Sequence, residues 1–204
     1  CFVNAGLTHS RTLSCLVADT LSHAGRTFDD VGQLAVSTGP GSYTGLRIGL
    51  AAVKGMSLAR SIPCAGVSTL LALAYNVRCR DGVVCAVLDA RVGQVFAALF
   101  DVRGGVVTRL TPDDAMPLVA LDRLIPDTAM AVGDGAQMVC RQIPRLVPGP
   151  DPLLLQRASS VICAAFAQEI PFVDAGLLQP DYHRKSQAER EREIKIHSMG
   201  GTIL

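Results

Sequence analysis

An α/β fold is the class this sequence predicts. Apolar residues recur at helical spacing through the first 80 residues, and beyond Asp81-Gly82 the period shortens to that of strands. Helical and strand-like segments nevertheless occur in both halves, which is the pattern of helices packed on sheets. With 204 residues and 49% hydrophobic content, the chain can bury a substantial core as one domain or two small lobes.

The elements follow in order. Thr8 to Gly25 reads as a helix: Thr8 caps it, Leu13, Leu16, Val17 and Leu21 recur at helical spacing, and Gly25 ends it. A strand is expected over Gln33 to Thr38. The glycine- and proline-broken segment Gly39-Pro40-Gly41-Ser42-Tyr43-Thr44-Gly45 is a turn feeding a helix that runs to about Arg60. Ile62 to Gly66 reads as a brief strand and Ser68 to Arg78 as a helix. After Asp81-Gly82, Val83 to Asp89, Gln94 to Asp101 and Val106 to Leu110 form a meander of strands separated by glycine-bearing turns. Helices are expected near Asp113 to Leu124, Ala136 to Ile143 and Leu153 to Glu169, with a strand over Ala129 to Val132. The run from Arg184 to Glu193 mixes charges densely and reads as a solvated terminal segment.

Composition excludes several classes. Lys plus Arg (19) nearly cancels Asp plus Glu (18), so the chain lacks the positive field of a self-sufficient tRNA binder. Its seven cysteines (Cys1, Cys15, Cys64, Cys79, Cys85, Cys140, Cys163) are odd in number, scattered and mostly set in apolar runs, as expected of reduced, buried thiols in a cytosolic protein. None has C-x-x-C spacing, so no zinc or redox site is expected. No apolar run approaches the roughly 18 to 20 residues of a membrane span, and no signal pattern opens the chain, so the cytoplasm is the expected location. The sequence starts at Cys1 without an initiator Met, and residues are expected to be missing ahead of it.

The segment Gly39-Pro40-Gly41-Ser42-Tyr43-Thr44-Gly45-Leu46-Arg47-Ile48-Gly49 resembles the signature of the TsaB/YeaZ family. Ile62-Pro63-Cys64-Ala65-Gly66-Val67-Ser68-Thr69-Leu70 and Val87-Leu88-Asp89-Ala90-Arg91-Val92-Gly93-Gln94-Val95 occur in the family's order, and Gln179-Pro180-Asp181-Tyr182-His183-Arg184-Lys185 is similar to its C-terminal ending. The likeness covers residues 5 to 193. It implies the two-lobed sugar-kinase/Hsp70/actin-like fold, here without the family's opening β-hairpin, which would leave an unpaired sheet edge. The implied lobes are residues 1–80 and 81–176, followed by a tail, 177–204, whose end from about Ile194 has no family counterpart. The resemblance also implies a non-catalytic role beside a paralogous enzyme, TsaD, with the ATPase TsaE joining them. Together they serve the transfer of threonylcarbamoyl to the adenosine 3′ of the anticodon in certain tRNAs. Contact with tRNA would then be indirect, through the complex.

Read for chemistry, Gly39 to Gly45 is either a structural turn or an anion contact, because backbone N–H groups leading into a helix can bind anions. Neither G-x-G-x-x-G nor G-x-x-x-x-G-K-[ST] is met, and Arg47 one turn on serves either role. Asp89, Arg91 and Gly93 form a second candidate: a tight hairpin in which Asp89 bonds the turn backbone, or a degenerate nucleotide loop in which Arg91 and Val92 crowd the phosphate position. Gly133-Asp134-Gly135 is a strand-to-helix turn or a nucleoside contact. The four histidines, His9, His23, His183 and His197, come no closer than 14 residues, so no pair shares a helix face to hold a metal. Ser42 and Ser68 have no readable His partner for hydrolase chemistry. No cofactor is expected to bind the chain alone, although ATP or ADP at the interface of a complex stays open.

The helix after the loop carries the clearest physical signal. Gly45, Gly49, Ala52, Gly55 and Ala59 are spaced 4, 3, 3 and 4, which places them on one helix face. Interior glycine costs about 1 kcal/mol relative to alanine, so the stripe needs compensation, and a smooth face lets another helix approach closely. The partner is either the chain's own first helix, through Leu13, Leu16 and Val17, or, as the resemblance implies, a matching helix pair from TsaD; self-association through the same helices also stays open. Two functions follow: a scaffold that binds and activates TsaD and helps recruit TsaE, or an enzyme of the same fold that uses ATP alone through Asp89 and the glycine loop.

Overall fold

The structure, a computed structural model, describes residues 9–183; the expected Thr8 cap, the mixed-charge run and the tail beyond it lie outside the described residues. Helix α1 (His9–His23) is closed by paired bonds, Arg26 N–H to Leu21 O at 2.9 Å and Gly25 N–H to Ser22 O at 3.0 Å, so Gly25 ends it as expected. Strand β1 (Leu34–Gly39), helix α2 (Tyr43–Leu58) and strand β2 (Cys64–Ser68) make a β-α-β unit in which β1 and β2 pair in parallel. The brief strand after Ile62 therefore starts two residues later than expected. Ser68 then caps α3 (Thr69–Tyr75), shorter than the expected helix and buried along its whole length.

A mixed sheet forms the rest. Strands β3 (Gly82–Asp89) and β4 (Gln94–Arg103) pair antiparallel, all of β3 against Val95 to Val102 of β4. Strand β5 (Val106–Arg109) and strand β6 (Asp114–Pro117) both lie against β4, β5 along its second half and β6 along its first. Strand β7 (Ala129–Val132) adds to β3 in parallel, and β8 (Leu146–Pro148) adds to β7, giving the order β5-β4-β3-β7-β8 with β6 off that path.

Several expectations are corrected here. The segment Asp113 to Leu124 is β6 followed by α4 (Leu118–Leu124), because pairing to Gln94–Ala97 claims the first residues and Pro117 starts the helix after them. The helix expected from Leu153 to Glu169 is a 3₁₀ turn, Asp151–Leu153, then an extended Arg157, then α6 (Ala158–Ala167); the Arg157 guanidinium reaches back to Pro152 O and holds the break. Helix α5 (Ala136–Cys140) stops short of Ile143.

Alternation along the strands fills two layers. Val84, Ala86 and Leu88 of β3 join Phe96, Ala98 and Phe100 of β4 under α3 and α6. Cys85 and Val87 join Val95, Ala97 and Leu99 under α4 and α5. Ala65 and Val67 of β2 belong to the first layer, so the core runs continuously from the first 80 residues into the rest. A third cluster of Leu50, Cys64, Ala175 and Leu178 lies beneath α2.

The cysteines divide more evenly than expected. Cys64 and Cys85 are buried, but Cys15 and Cys79 are exposed and Cys140 and Cys163 half-buried; all six described are free thiols. Burial pushes the Cys85 thiol up to about 12. Among the described residues no helix is long and apolar enough to cross a membrane, and no group of three metal-ligating side chains occurs.

Candidate functional site

The glycine loop is held from two sides. Ser42 caps α2, its Oγ accepting the Gly45 N–H at 3.4 Å and its carbonyl the Leu46 N–H at 2.9 Å. Those N–H groups are therefore committed to the cap. Tyr43 and Arg47, one turn apart, form a unit in which the guanidinium lies 5.2 Å from the ring centroid and donates to Tyr43 Oη at 3.1 Å. On Tyr43 stacks Tyr182, centroids 4.8 Å apart. The chain just before it seats on the end of β1: Asp181 N–H donates to Thr38 O at 2.8 Å. Gly39 has φ of 142°, and a Cβ there would come within 2.3 Å of Asp181 O, so this crossing requires glycine. Thr44 is exposed, and Pro40 and Gly41 complete the turn.

Among the described residues, the small-residue face of α2 meets little of its own chain. A Cβ at Gly55 would find nothing within 4 Å, one at Gly49 only Val36 Cγ2 at 4.0 Å, and one at Gly45 only Ser42. Ala52 is half-buried; Ala59 lies just past the helix end, as its cap, rather than on the helix. Leu58, one turn beyond Gly55, is 84% exposed. Helix α1 packs beside α2 with Leu13, Leu16 and Val17 half-buried. Val17, Ala18 and Leu21 of α1, Phe28 of the segment that follows it and Met56 of α2 line an open, mainly apolar groove of about 600 Å³. No stripe glycine lines that groove.

Two further loops converge. Asp89 Oδ1 accepts the Arg91 N–H at 2.7 Å, closing the hairpin as a tight turn, and the Asp89 N–H donates to Asp134 Oδ1 at 3.0 Å. Arg91, Val92 and Gly93 all have positive φ, 61°, 55° and 71°. Gly133 has φ of 113° and passes so close to β3 that a Cβ would meet Val87 O at 1.9 Å. Burial raises the Asp134 pKa, the Asp89 N–H opposing it and the Asp89 charge adding to it.

Residues 4–170 match the family model described as "TsaD: tRNA N6-adenosine threonylcarbamoyltransferase". The chain belongs to this TsaD family, on its TsaB/YeaZ side. It is 39% identical over 89 residues to the tRNA threonylcarbamoyladenosine biosynthesis protein TsaB of Bacillus subtilis, covering 44% of this chain and 39% of that protein. Over 92 residues it is 38% identical to the protein of the same name from Escherichia coli, covering 44% of this chain and 40% of that one. To a tRNA N6-adenosine threonylcarbamoyltransferase of Methylobacterium it is 32% identical over 151 residues, 72% of this chain and 42% of that one. The matched part of each is thus about two fifths of the curated relative's length. A crystal structure from Pseudomonas aeruginosa, of a protein with similarity to peptidase YeaZ, superposes with a TM-score of 0.71 at 26% identity, covering 87% of this chain and 85% of that one. The α/β fold expected from the sequence is therefore that of the TsaB/YeaZ proteins and of the sugar-kinase/Hsp70/actin-like TsaD domain.

Within this TsaB/YeaZ fold, sequence reasoning missed one polar cluster. Ser68 Oγ, considered above for nucleophilic chemistry, donates to Asp113 Oδ2 at 2.5 Å and accepts the Leu71 N–H at 3.1 Å. Asp113, whose carboxylate is almost fully buried, also pairs with Arg109, whose guanidinium covers the Phe100 ring at 4.8 Å. Ser68 is thereby spent on a cap and on the buried carboxylate of Asp113. The seat of Tyr182 on Tyr43 was missed as well, although the Gln179 to Lys185 segment was already visible as a motif.

Proposed function

We propose that this chain is a non-catalytic subunit of the machinery that synthesises threonylcarbamoyladenosine in tRNA, binding and activating TsaD through the faces of α1 and α2 and helping to recruit TsaE. The observation that carries this reading is the uncovered face of α2. Gly55 and the exposed Leu58 lie one turn apart on it, and among the described residues nothing comes within 4 Å of a Cβ placed at Gly55. Glycines that internal packing does not demand, kept inside a helix at a cost of about 1 kcal/mol each, make physical sense when a second helix must come close. Leu13, Leu16 and Val17, half-buried on α1 beside it, are assigned to the same proposed interface. Curated TsaB relatives carry threonylcarbamoyladenosine biosynthesis in their names, which gives the partner its chemistry.

The non-catalytic part of the proposal rests on the site chemistry. Ser42 and Ser68 are caps, Asp89 holds its own hairpin, and Arg91 and Val92 stand in the turn where a phosphate would need bare backbone. The proposed location is the cytoplasm, with tRNA reached through the complex and any ATP or ADP bound at the subunit interface. Co-purification of the full chain with TsaD and TsaE, followed by a tRNA-modification assay leaving out each component in turn, tests the proposal. Modification that proceeds equally well without this chain would refute it, and a saturable ATPase of the chain alone, lost in Asp89→Ala, would put the ATP-using enzyme in its place.

A further inference from the structure

The segment after α6 is seated against α2 along its length. Val173 exchanges both backbone bonds with Cys64, at 2.8 and 2.9 Å, on the open side of β2. Asp174 Oδ1 accepts the Gly176 N–H at 2.7 Å, and Gly176 O in turn accepts from Lys54 Nζ of α2 at 3.4 Å. Ala175 and Leu178 are buried with Leu50 of α2. Asp181 then bonds Thr38 O at the end of β1, and Tyr182 stacks on Tyr43, the first residue of α2. One stretch of ten residues or so thus touches α2 at its start, middle and far half while anchored to both strands of the small sheet.

We propose that residues 173–183 are a strap whose seating sets the order and position of α2, so that the strap and the α2 face rise and fall as one cooperative unit. Such a unit is defined by opening together, and its elements share one opening free energy. This deepens the proposed function and rests on it for one consequence: partner binding at α2 and seating of the strap are linked, each strengthening the other by the same factor. The contact that transmits the link is Tyr182 on Tyr43. Arg47 follows through its bond and ring contact to Tyr43.

Amide hydrogen exchange on the full chain tests the strap without any partner. The variants are Tyr182→Ala, Tyr182→Phe, which keeps the ring, and Gly39→Ala, whose Cβ would strike Asp181 O. In Tyr182→Ala, exchange is expected to quicken at Asp181 and at Leu46 by a common factor of about two- to tenfold, the worth of one aromatic pair. Tyr182→Phe should restore both, Gly39→Ala should raise both further, and β3 amides should not change in the Tyr182 variants. Faster exchange at Asp181 with none at Leu46 overturns the proposal. Exchange in the presence of TsaD supplies the second arm: bound TsaD is expected to slow exchange at Asp181 as well as at Leu46, because a partner that binds only the seated state suppresses opening of both, and protection at Leu46 with none at Asp181 overturns the linkage. If the wild-type chain fails to bind TsaD, the proposed function falls while the exchange comparison still decides whether strap and helix move together.

Discussion

Gly55→Leu is the cleanest test of an intermolecular α2 face. At Gly55 the added side chain enters open space, whereas at Gly49 a leucine would grow toward Val36, whose Cγ2 is 4.0 Å from the would-be Cβ. Gly55 therefore separates stability from binding. Replacing an interior helical glycine with leucine should stabilise the free chain by about 0.5–1 kcal/mol, raising its Tm by about 2 °C. In a close helix-helix seam the same side chain overpacks, at about 1 to 3 kcal/mol, which weakens binding by about five- to 150-fold. Thermal melts of the variant alone, paired with calorimetric titration against TsaD, read both numbers. Reduced affinity with an unchanged or higher Tm is the expected outcome, and Gly49→Ala, which adds only a methyl group at ordinary contact distance from Val36, should show the same direction more weakly. Native-like affinity in Gly55→Leu would refute the argument that the uncovered glycine face is the interface. A lower Tm would show instead that the chain itself closes over this face.

Three more outcomes follow from the loops. Asp89→Ala and Ser42→Ala should leave a reconstituted modification complex within about tenfold of wild-type turnover, because loss of a true proton-transfer group typically costs about 10² to 10⁴ in rate; a steady-state assay decides it. Gly133→Ala should destabilise the chain by about 3 kcal/mol or more, since its φ of 113° and the 1.9 Å approach to Val87 O cannot both relax; a denaturant midpoint within error of wild type would contradict this. For Asp134, burial raises the folded-state pKa above the unfolded value, so its contribution favours the fold most below about pH 4 and declines as pH rises through the folded pKa. Asp134→Asn, which can still accept from the Asp89 N–H, should therefore gain stability relative to wild type as pH rises to 7, modestly because the residue also reaches solvent. Melts from pH 4 to pH 7 that run parallel for the two proteins would count against it.

How much of this fold could be read from the sequence depends on which residues decide each element. Helix α2 and strands β3 and β4 were legible because their own apolar spacing sets them: Leu46 and Leu50 bury one face of α2, and alternate residues of β3 fill opposite layers. Strand β8 had no such signal. Its Leu146-Val147-Pro148 ends in a proline, sits between prolines at 144 and 150 and pairs only because β7 lies beside it. Asp113 and Asp114 look like the acidic start of a helix, yet pairing with Gln94–Ala97 draws Asp114 into β6 and the buried Ser68–Asp113–Arg109 contacts hold its neighbour. In each miss a contact with a distant segment outweighed local preference.

The site divides along the same line. Gly39 to Gly49 could be recognised as a motif, and its role as a turn and cap follows from local geometry, as does the Asp89 hairpin. What sequence could not supply was who stands next to whom. The glycine spacing on α2 was visible, but whether α1 covers it was not, because helical period fixes a face and says nothing of its neighbour. The structure puts Val17, Leu21 and Met56 in the α1–α2 groove and leaves Gly55 outside it, so among the described residues α1 is not what the glycine packs against. The same holds for Tyr182. Its segment was visible as a motif, but only the stack on Tyr43 shows that the C-terminal motif touches the glycine motif. If α2 carries the proposed interface, a residue's value to it is set less by its own exposure than by what holds the helix beneath it.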